Sequence, residues 1–263
     1  MGLFDFFKKK EQPVEKPEHK SLLAMPMFNN NETFDLDKLV EHLKTHWNLK
    51  VYDIERGDRA SSLTIDEEVV AFATISHQIP WDDIKVTAPY AYNWKTAEND
   101  LQSHNSHMIV TIIHSEKSPL DSFRIFTKVL SSLLATSNSI GVYQGNQTLL
   151  IPKKQYIESA EVLKENKTPF DLWLYIGLRK TEKGNNVYTY GLTFFDKLEI
   201  EVVDSKLDLQ EIYLFISNIC CYIIGSNVTF KNGETLGYTD EQKIKIRQSK
   251  GQFVDGQTLR LEM

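Results

Sequence analysis

Cysteine is almost missing from this sequence: 263 residues carry two, and they are neighbours, Cys220 and Cys221. Adjacent residues on a helix project in different directions, so a bridge between them would strain the bond geometry. A secreted scaffold uses more cysteines, more widely spaced, which makes a reducing cytoplasm the expected location. Long hydrophobic runs are missing too. The longest, Ile212 to Ile224, is broken by Ser217 and Asn218 and falls well short of the roughly 20 apolar residues that span a bilayer. The N-terminus puts Lys8, Lys9 and Lys10 after a short apolar patch, whereas a secretory leader puts its charges before a longer one. Phe6 stands where the myristoylation pattern requires Ser or Thr. A soluble protein with no membrane span is expected.

The sequence also lacks the common catalytic signatures. It has no phosphate-binding Gly-rich loop, no Gly-x-Ser-x-Gly elbow, no dinucleotide fingerprint and no calcium-loop pattern. No cofactor is expected. Nor is there an excess of positive charge: Lys and Arg number 30 against 36 Asp and Glu, a net charge of −6. Sequence-independent nucleic-acid binding needs a basic face to displace counterions, so nucleic acid is not the expected partner.

Enough apolar material is present for a sizeable core, with 41% hydrophobic and 11% aromatic residues, and the length fits one large domain or two ordinary ones. Residues 8–20 are charged, contain Pro13 and Pro17 and hold almost nothing apolar. They read as a disordered linker, so residues 1–20 form a tail tipped by Leu3, Phe4, Phe6 and Phe7. That tip would be a docking peptide, a weak membrane toe-hold, or merely a tolerated disordered end; one such turn buries too little for stable membrane attachment.

Order is expected from Ser21. Leu22 to Phe28 reads as a buried strand ending at Asn29-Asn30-Asn31. Asp35 is placed to cap a helix carrying Leu36, Leu39, Val40, Leu43 and Trp47, with Phe34 stapled onto Leu39. Strands follow at Lys50–Ile54, Leu63–Asp66 and Val69–Ile79, the last two joined through Asp66-Glu67-Glu68. Ser118-Pro119 opens a second helix between strands at Met108–Ile113 and Ile140–Tyr143, and another helix covers Lys154–Lys164. From Phe170 onward Asp171–Arg179, Val187–Phe194 and Leu198–Val203 alternate as a meander. A helix from Leu209 to Ile224 then closes at Gly225, apolar on nearly every side and expected to lie buried between two layers. Terminal strands, marked by Asn232-Gly233 and Asp255-Gly256, complete a sheet. The expected fold is α+β: two-layer units of antiparallel or mixed sheet with helices on one face. The halves, 21–166 and 167–263, would be joined through the buried C-terminal helix.

Four groups of residues invite a functional reading. Trp81, Tyr90, Tyr92 and Trp94 concentrate large amphipathic aromatics near one loop, good material for a contact surface or for covering a sheet end. Lys243, Lys245 and Arg247 alternate with two isoleucines, either a strip for an acidic partner or an edge strand whose lysines deter aggregation. His104 and His107, with His114 beyond, are the nearest approach to a metal site, but no Cys, Asp or Glu stands at ligand spacing; capping or a core-edge role is the alternative. Cys220, in an apolar run with no base beside it, reads as buried and unreactive. Nothing singles out a pair among the carboxylates Asp82, Asp83, Glu199, Glu201 and Asp204 for acid–base work.

The C-terminal block holds Leu172-Trp173, Tyr190-Gly191-Leu192-Thr193, Leu198-Glu199-Ile200-Glu201, the long apolar helix and Asn232-Gly233-Glu234-Thr235-Leu236-Gly237. It resembles the bacterial family catalogued as domain of unknown function 4261. Pro80-Trp81, Trp94 and Ser103-His104-Asn105-Ser106-His107-Met108-Ile109-Val110 resemble the segment that precedes that domain in longer members. The similarity runs from about Ser21 onward. It implies a cytoplasmic bacterial protein and carries no established activity, cofactor or catalytic residue. The expectation is a non-catalytic binding or interaction protein, of accessory or immunity type, with an unidentified protein partner. The competing expectation is a metal-assisted hydrolase built on His104 and His107.

Overall fold

The computed structural model describes residues 21–29, 33–115, 117–239 and 242–263. The Leu3–Phe7 tip, the charged 8–20 segment, and Asn30 and Asn31 of the first expected turn lie outside them. In chain order come β1 (Leu23–Phe28), α1 (Leu36–His46), β2 (Val51–Arg56), β3 (Ala60–Ile65), β4 (Glu68–Ile75), α2 (Trp81–Thr87), α3 (Ala97–Leu101), β5 (Ser106–His114), α4 (Pro119–Ala135), β6 (Gly141–Gln144), β7 (Leu149–Pro152) and α5 (Lys153–Ala160). After them follow β8 (Tyr175–Lys180), β9 (Asn185–Tyr190), β10 (Glu199–Ser205), α6 (Leu209–Gly225), β11 (Thr235–Gly237), β12 (Lys243–Lys250) and β13 (Gln257–Glu262).

The strands make two sheets. The first has seven strands in the order β2-β3-β4-β5-β1-β6-β7, and every pairing in it is antiparallel. The second has six in the order β11-β12-β13-β10-β9-β8; it is antiparallel except where β13 lies parallel to β10. The fold class is α+β, as the alternation of strands and helices predicted.

Local chemistry explains the elements that the sequence made legible. The Asp35 side chain accepts from the Asp37 and Lys38 N–H groups at 3.0 and 3.2 Å, and α1 buries Leu39, Val40 and Leu43. Ser118 accepts from the Asp121 N–H, with Pro119 at the first helical position of α4. Asp66 and Glu67 sit at φ 48° and 74°, the paired left-handed conformation that a two-residue hairpin between β3 and β4 requires. Phe34 packs against the core cluster that holds Leu39 and stacks on Phe72 of β4 at 5.3 Å between ring centroids.

Two larger expectations are corrected. First, helices flank both faces of the seven-stranded sheet. Ala24 and Phe28 of β1 point into the main core with the α1 and α4 side chains. Met25 and Met27, on the opposite face by strand alternation, pack with Ile84 of α2 and Ala97 and Leu101 of α3. The segment expected to be an aromatic loop is thus largely two short helices.

Second, α6 has a solvent face. Ile212, Ile216, Ile219, Cys220, Ile223 and Ile224 are buried, yet Leu214 and Tyr222 are 54% and 53% exposed. The helix also ends one residue later than expected. The left-handed residue is Asn227, at φ 51°, and Val228 N–H returns to the Ile223 carbonyl at 3.0 Å in a Schellman closure.

Side chains of α4 and of the segment before β8 meet between the sheets. Phe123 of α4 stacks on Phe195 at 4.4 Å and lies 5.4 Å from Trp173. The Trp173 indole N–H donates to Thr127 Oγ1 at 2.7 Å. Gln144 of β6 donates to the Leu172 carbonyl at 2.9 Å. One continuous buried cluster contains residues from both sheets.

Candidate functional site

The sheet junction opens on one side into a cleft of about 370 Å³ whose lining includes Tyr90, Tyr175, Tyr188, Tyr190, Phe253 and Asp255. Each wall has a separate structural cause. Tyr90 ends the 3₁₀ turn Ala88–Tyr90 that follows α2. Tyr188 and Tyr190 are two apart on β9 and therefore share a face, and Tyr175, paired with Tyr190 across β8 and β9, lies on the same face. Phe253 and Asp255 belong to the connection between β12 and β13, which Gly256 turns at φ 87°.

Gly177 makes room for this arrangement. It pairs directly with Tyr188, and a Cβ there would fall 2.1 Å from Tyr188 Cζ. The ring therefore lies over bare backbone, and strand and tyrosine approach more closely than any side chain at 177 would allow.

A buried carboxylate holds the opposite wall. Glu201, 1% exposed, accepts from the Gln252 N–H at 3.0 Å, from the Phe253 N–H at 2.8 Å and from Thr258 Oγ1 at 3.2 Å. Its neighbour on the same face, Glu199, accepts from Thr189 Oγ1 at 2.7 Å and from the Gly191 N–H at 2.8 Å. Both carboxylates serve as anchors for backbone turns. Asp82 and Asp83 lie in the first turn of α2, where negative charge complements the helix dipole.

The rings form a contiguous packed row. Tyr90 and Tyr175 lie 5.6 Å apart at 69°, Tyr175 and Tyr188 lie 6.1 Å apart at 69°, and Tyr188 stacks on Phe253 at 5.3 Å and 17°. The Tyr92 hydroxyl lies 2.7 Å from that of Tyr175 and accepts from the Leu178 N–H at 3.1 Å. Tyr92 thereby covers a backbone donor of β8, an edge strand, and ties the first sheet's helical flank to the second sheet. Burial pushes the Tyr175 hydroxyl far above the ordinary phenol range, reinforced by its bond to Tyr92, and burial likewise raises Tyr188. Both remain neutral across physiological pH.

The expected aromatic group therefore divides. Tyr90 and Tyr92, 41% and 42% exposed, face the junction. Trp94 is buried, and its indole N–H donates to Asp100 Oδ2 at 2.7 Å. Trp81 packs against the second core cluster with it. Tyr175, Tyr188, Tyr190 and Phe253 went unrecognised as site residues. Their one sequence signal, tyrosines at i and i+2 of a strand, is the same alternation that marks ordinary sheet residues.

The basic strip is exposed as the alternation predicts, with Ile244 and Ile246 buried between Lys243, Lys245 and Arg247. Its strand is not an edge, however: β12 lies between β11 and β13. Arg247 is already paired with Glu262 at 2.9 Å, which reduces the net charge of the strip.

His104 is 2% exposed and has both ring nitrogens engaged. Nε2 accepts from the Ile79 N–H at 3.0 Å, and Nδ1 lies 2.6 Å from the Leu101 carbonyl, to which it must donate. Metal ligation would break one of these backbone bonds. His107 Nδ1 donates to the His77 carbonyl at 2.9 Å. Of His114 only the backbone is described. Among the described residues no group of three or more His, Cys, Asp or Glu is placed to hold a metal ion. Cys220 and Cys221 are both free, and burial drives the Cys220 thiol far above its usual range.

Burial also lowers the pKa of His104 and His107 below the ordinary imidazole value, and His42 shifts the same way through burial and the nearby His46. The unfolded chain takes up these protons near pH 6.5, the folded chain only at lower pH. Their contribution to stability is therefore complete above about pH 6.5 and declines as pH falls below it. Thermal unfolding followed from pH 7.0 to 5.5, above the range where ordinary carboxylates titrate, should show a falling Tm. A constant Tm across that interval would contradict the buried neutral assignment.

Comparison with known proteins is consistent with the C-terminal resemblance. Residues 188–262 match the family model described as Domain of unknown function (DUF4261). The matched segment runs from Tyr188 in β9 to the end of β13 and includes α6, Glu199, Glu201 and Phe253; Leu172, Trp173 and the upstream aromatic and histidine segments lie outside it. No curated protein and no solved structure matches the chain. Among the described residues no helix is long and apolar enough to cross a membrane. The segment similar to the domain of unknown function DUF4261 thus takes in α6 and the second sheet except β8 and the first half of β9.

Proposed function

We propose that this chain is a non-catalytic binding protein of the cytoplasm that presents the tyrosine cleft to a partner. The observation that carries the reading is the convergence of Tyr90, Tyr175, Tyr188 and Tyr190 around one open cleft at the sheet junction. Tyrosine supplies large, rigid contact area at low entropic cost, which suits recognition. It supplies little acid–base capacity here, because burial raises Tyr175 and Tyr188 away from neutral pH. Glu199 and Glu201 are occupied by backbone turns, and Asp255 is the single carboxylate in the lining.

Tyr90 and Tyr190 are 41% and 40% exposed, so their replacement by alanine should leave the core intact. The double variant Tyr90→Ala/Tyr190→Ala should keep a Tm within about 3 °C of the parent, as surface changes do. In affinity capture from the native host it should lose at least one species that the parent retains. A folded double variant that retains every species removes the cleft from consideration.

A further inference from the structure

A second cavity lies apart from the tyrosine cleft, at the end of α6. It holds about 260 Å³, and every wall comes from the matched segment 188–262. Two local features build it. The Schellman closure after α6 turns the chain back, so that Val228 and Phe230 stand beside Ile223. The 3₁₀ turn Leu192–Phe195 ends at Asp196, at φ 57°, and delivers Lys197 and Leu198 to the same opening. Ile223 and Leu259 are buried and form an apolar floor, while Asp196 and Thr229 are exposed and mark the mouth. That mouth carries one fixed cation. The Lys197 ammonium donates to Asn227 Oδ1 and to Thr229 Oγ1, both at 2.8 Å. Both acceptors are neutral, and an ammonium has three N–H donors. One donor therefore stays open, and no carboxylate pairs with the lysine among the described residues.

We propose that this cavity binds a short, free aliphatic acid, its chain on the Ile223–Leu259 floor and its carboxylate on Lys197. The site is separate from the tyrosine cleft and does not depend on it. Chain and head follow from different observations. An apolar floor favours burial of methylenes and offers no partner to a polar group. One ammonium with an open donor matches a single negative charge and makes a charge-assisted hydrogen bond to it. A phosphate or a nucleotide brings more charge and more acceptor oxygens than one lysine can answer. Asp196 opposes the carboxylate from the same lining, which sets a direction: removing its charge should tighten binding.

Calorimetric titration of the whole chain with butanoate, hexanoate and hexanol tests both parts of the ligand. Hexanoate should bind about tenfold more tightly than butanoate, through two further buried methylenes, and about fivefold more tightly than the alcohol. Lys197→Met should abolish the preference for acid over alcohol while keeping the affinity for the alcohol. Asp196→Asn, a residue that tolerates the left-handed backbone there, should raise hexanoate affinity by about twofold or more. Amide shifts in a magnetic-resonance titration should centre on Ile223, Val228 and Leu259. Equal binding of hexanoate and hexanol overturns the head-group assignment, and binding of neither overturns the proposal outright. Shifts centred on Tyr175 and Tyr188 put the ligand in the other cleft and overturn it too. A peptide ending in leucine that binds more tightly than hexanoate assigns the cavity to a protein C-terminus and overturns the free acid.

Discussion

Glu201→Ala is expected to destabilise the protein by about 3–5 kcal/mol, because one side chain answers three separate donors. The carboxylate is 1% exposed and accepts from two consecutive backbone N–H groups, Gln252 and Phe253, and from the Thr258 hydroxyl. Leaving a buried donor without a partner costs about 1–3 kcal/mol, far more than the net gain of an ordinary hydrogen bond. The loss is reduced only to the extent that the loop swings out and gives those amides to water. That escape has its own consequence, since Phe253 would leave its 5.3 Å stack on Tyr188 and the cleft would lose a wall. Glu201→Gln keeps one acceptor oxygen but turns an amide NH₂ toward backbone donors, so it should fall between parent and alanine variant. Chemical denaturation measures the first effect and amide exchange at Gln252 and Phe253 the second. If Glu201→Ala costs less than about 1 kcal/mol and these amides keep their protection, the carboxylate does not anchor the loop as described.

The same residue shows what the sequence could and could not reveal. Alternation in Leu198–Val203 was enough to place Glu199 and Glu201 in a strand, because a two-residue period is a local property. Their role depends on Gln252 and Phe253, about fifty positions away, and no local pattern encodes that pairing. Caps and tight turns were legible for the same reason as strands: Asp35, Ser118 and the Asp66-Glu67 turn all act within four residues of themselves. The solvent face of α6 was not, since Ile212–Ile224 is apolar enough to suit two-sided burial. Leu214 and Tyr222 are exposed because, among the described residues, no second layer is laid over that side. The cleft was half legible. Tyr90 and Tyr92 stood out because they are close in sequence, along with Trp81 and Trp94, which pack inward. Tyr175, Tyr188, Tyr190 and Phe253 join them only after β8 and β9 pair and the β12–β13 connection folds back over Glu201.

Trp173→Ala should produce the largest loss, about 4–5 kcal/mol, and should change how the protein unfolds as well as when. Truncating a buried tryptophan costs about 3–5 kcal/mol through lost burial and the cavity left behind. Here the indole is 1% exposed, contacts Phe123 and Phe195, and leaves the Thr127 hydroxyl without its donor when removed. Those partners come from α4 and from the connection between β9 and β10, so the cavity opens across the joint. The chain has four tryptophans, and the other three, Trp47, Trp81 and Trp94, all precede β8. Indole fluorescence of the variant therefore reports only the seven-stranded unit, whereas far-ultraviolet circular dichroism reports both sheets. In Trp173→Ala the two signals should give denaturation midpoints that differ, the sign of units that no longer unfold together. Trp173→Phe, equally silent in fluorescence but still filling most of the space, should cost about 1–2 kcal/mol and keep the midpoints coincident. Coincident midpoints in both variants would mean that the remaining joint contacts, among them Phe123 with Phe195, Gln144 with Leu172 and Tyr92 with Tyr175, hold the sheets together without the indole.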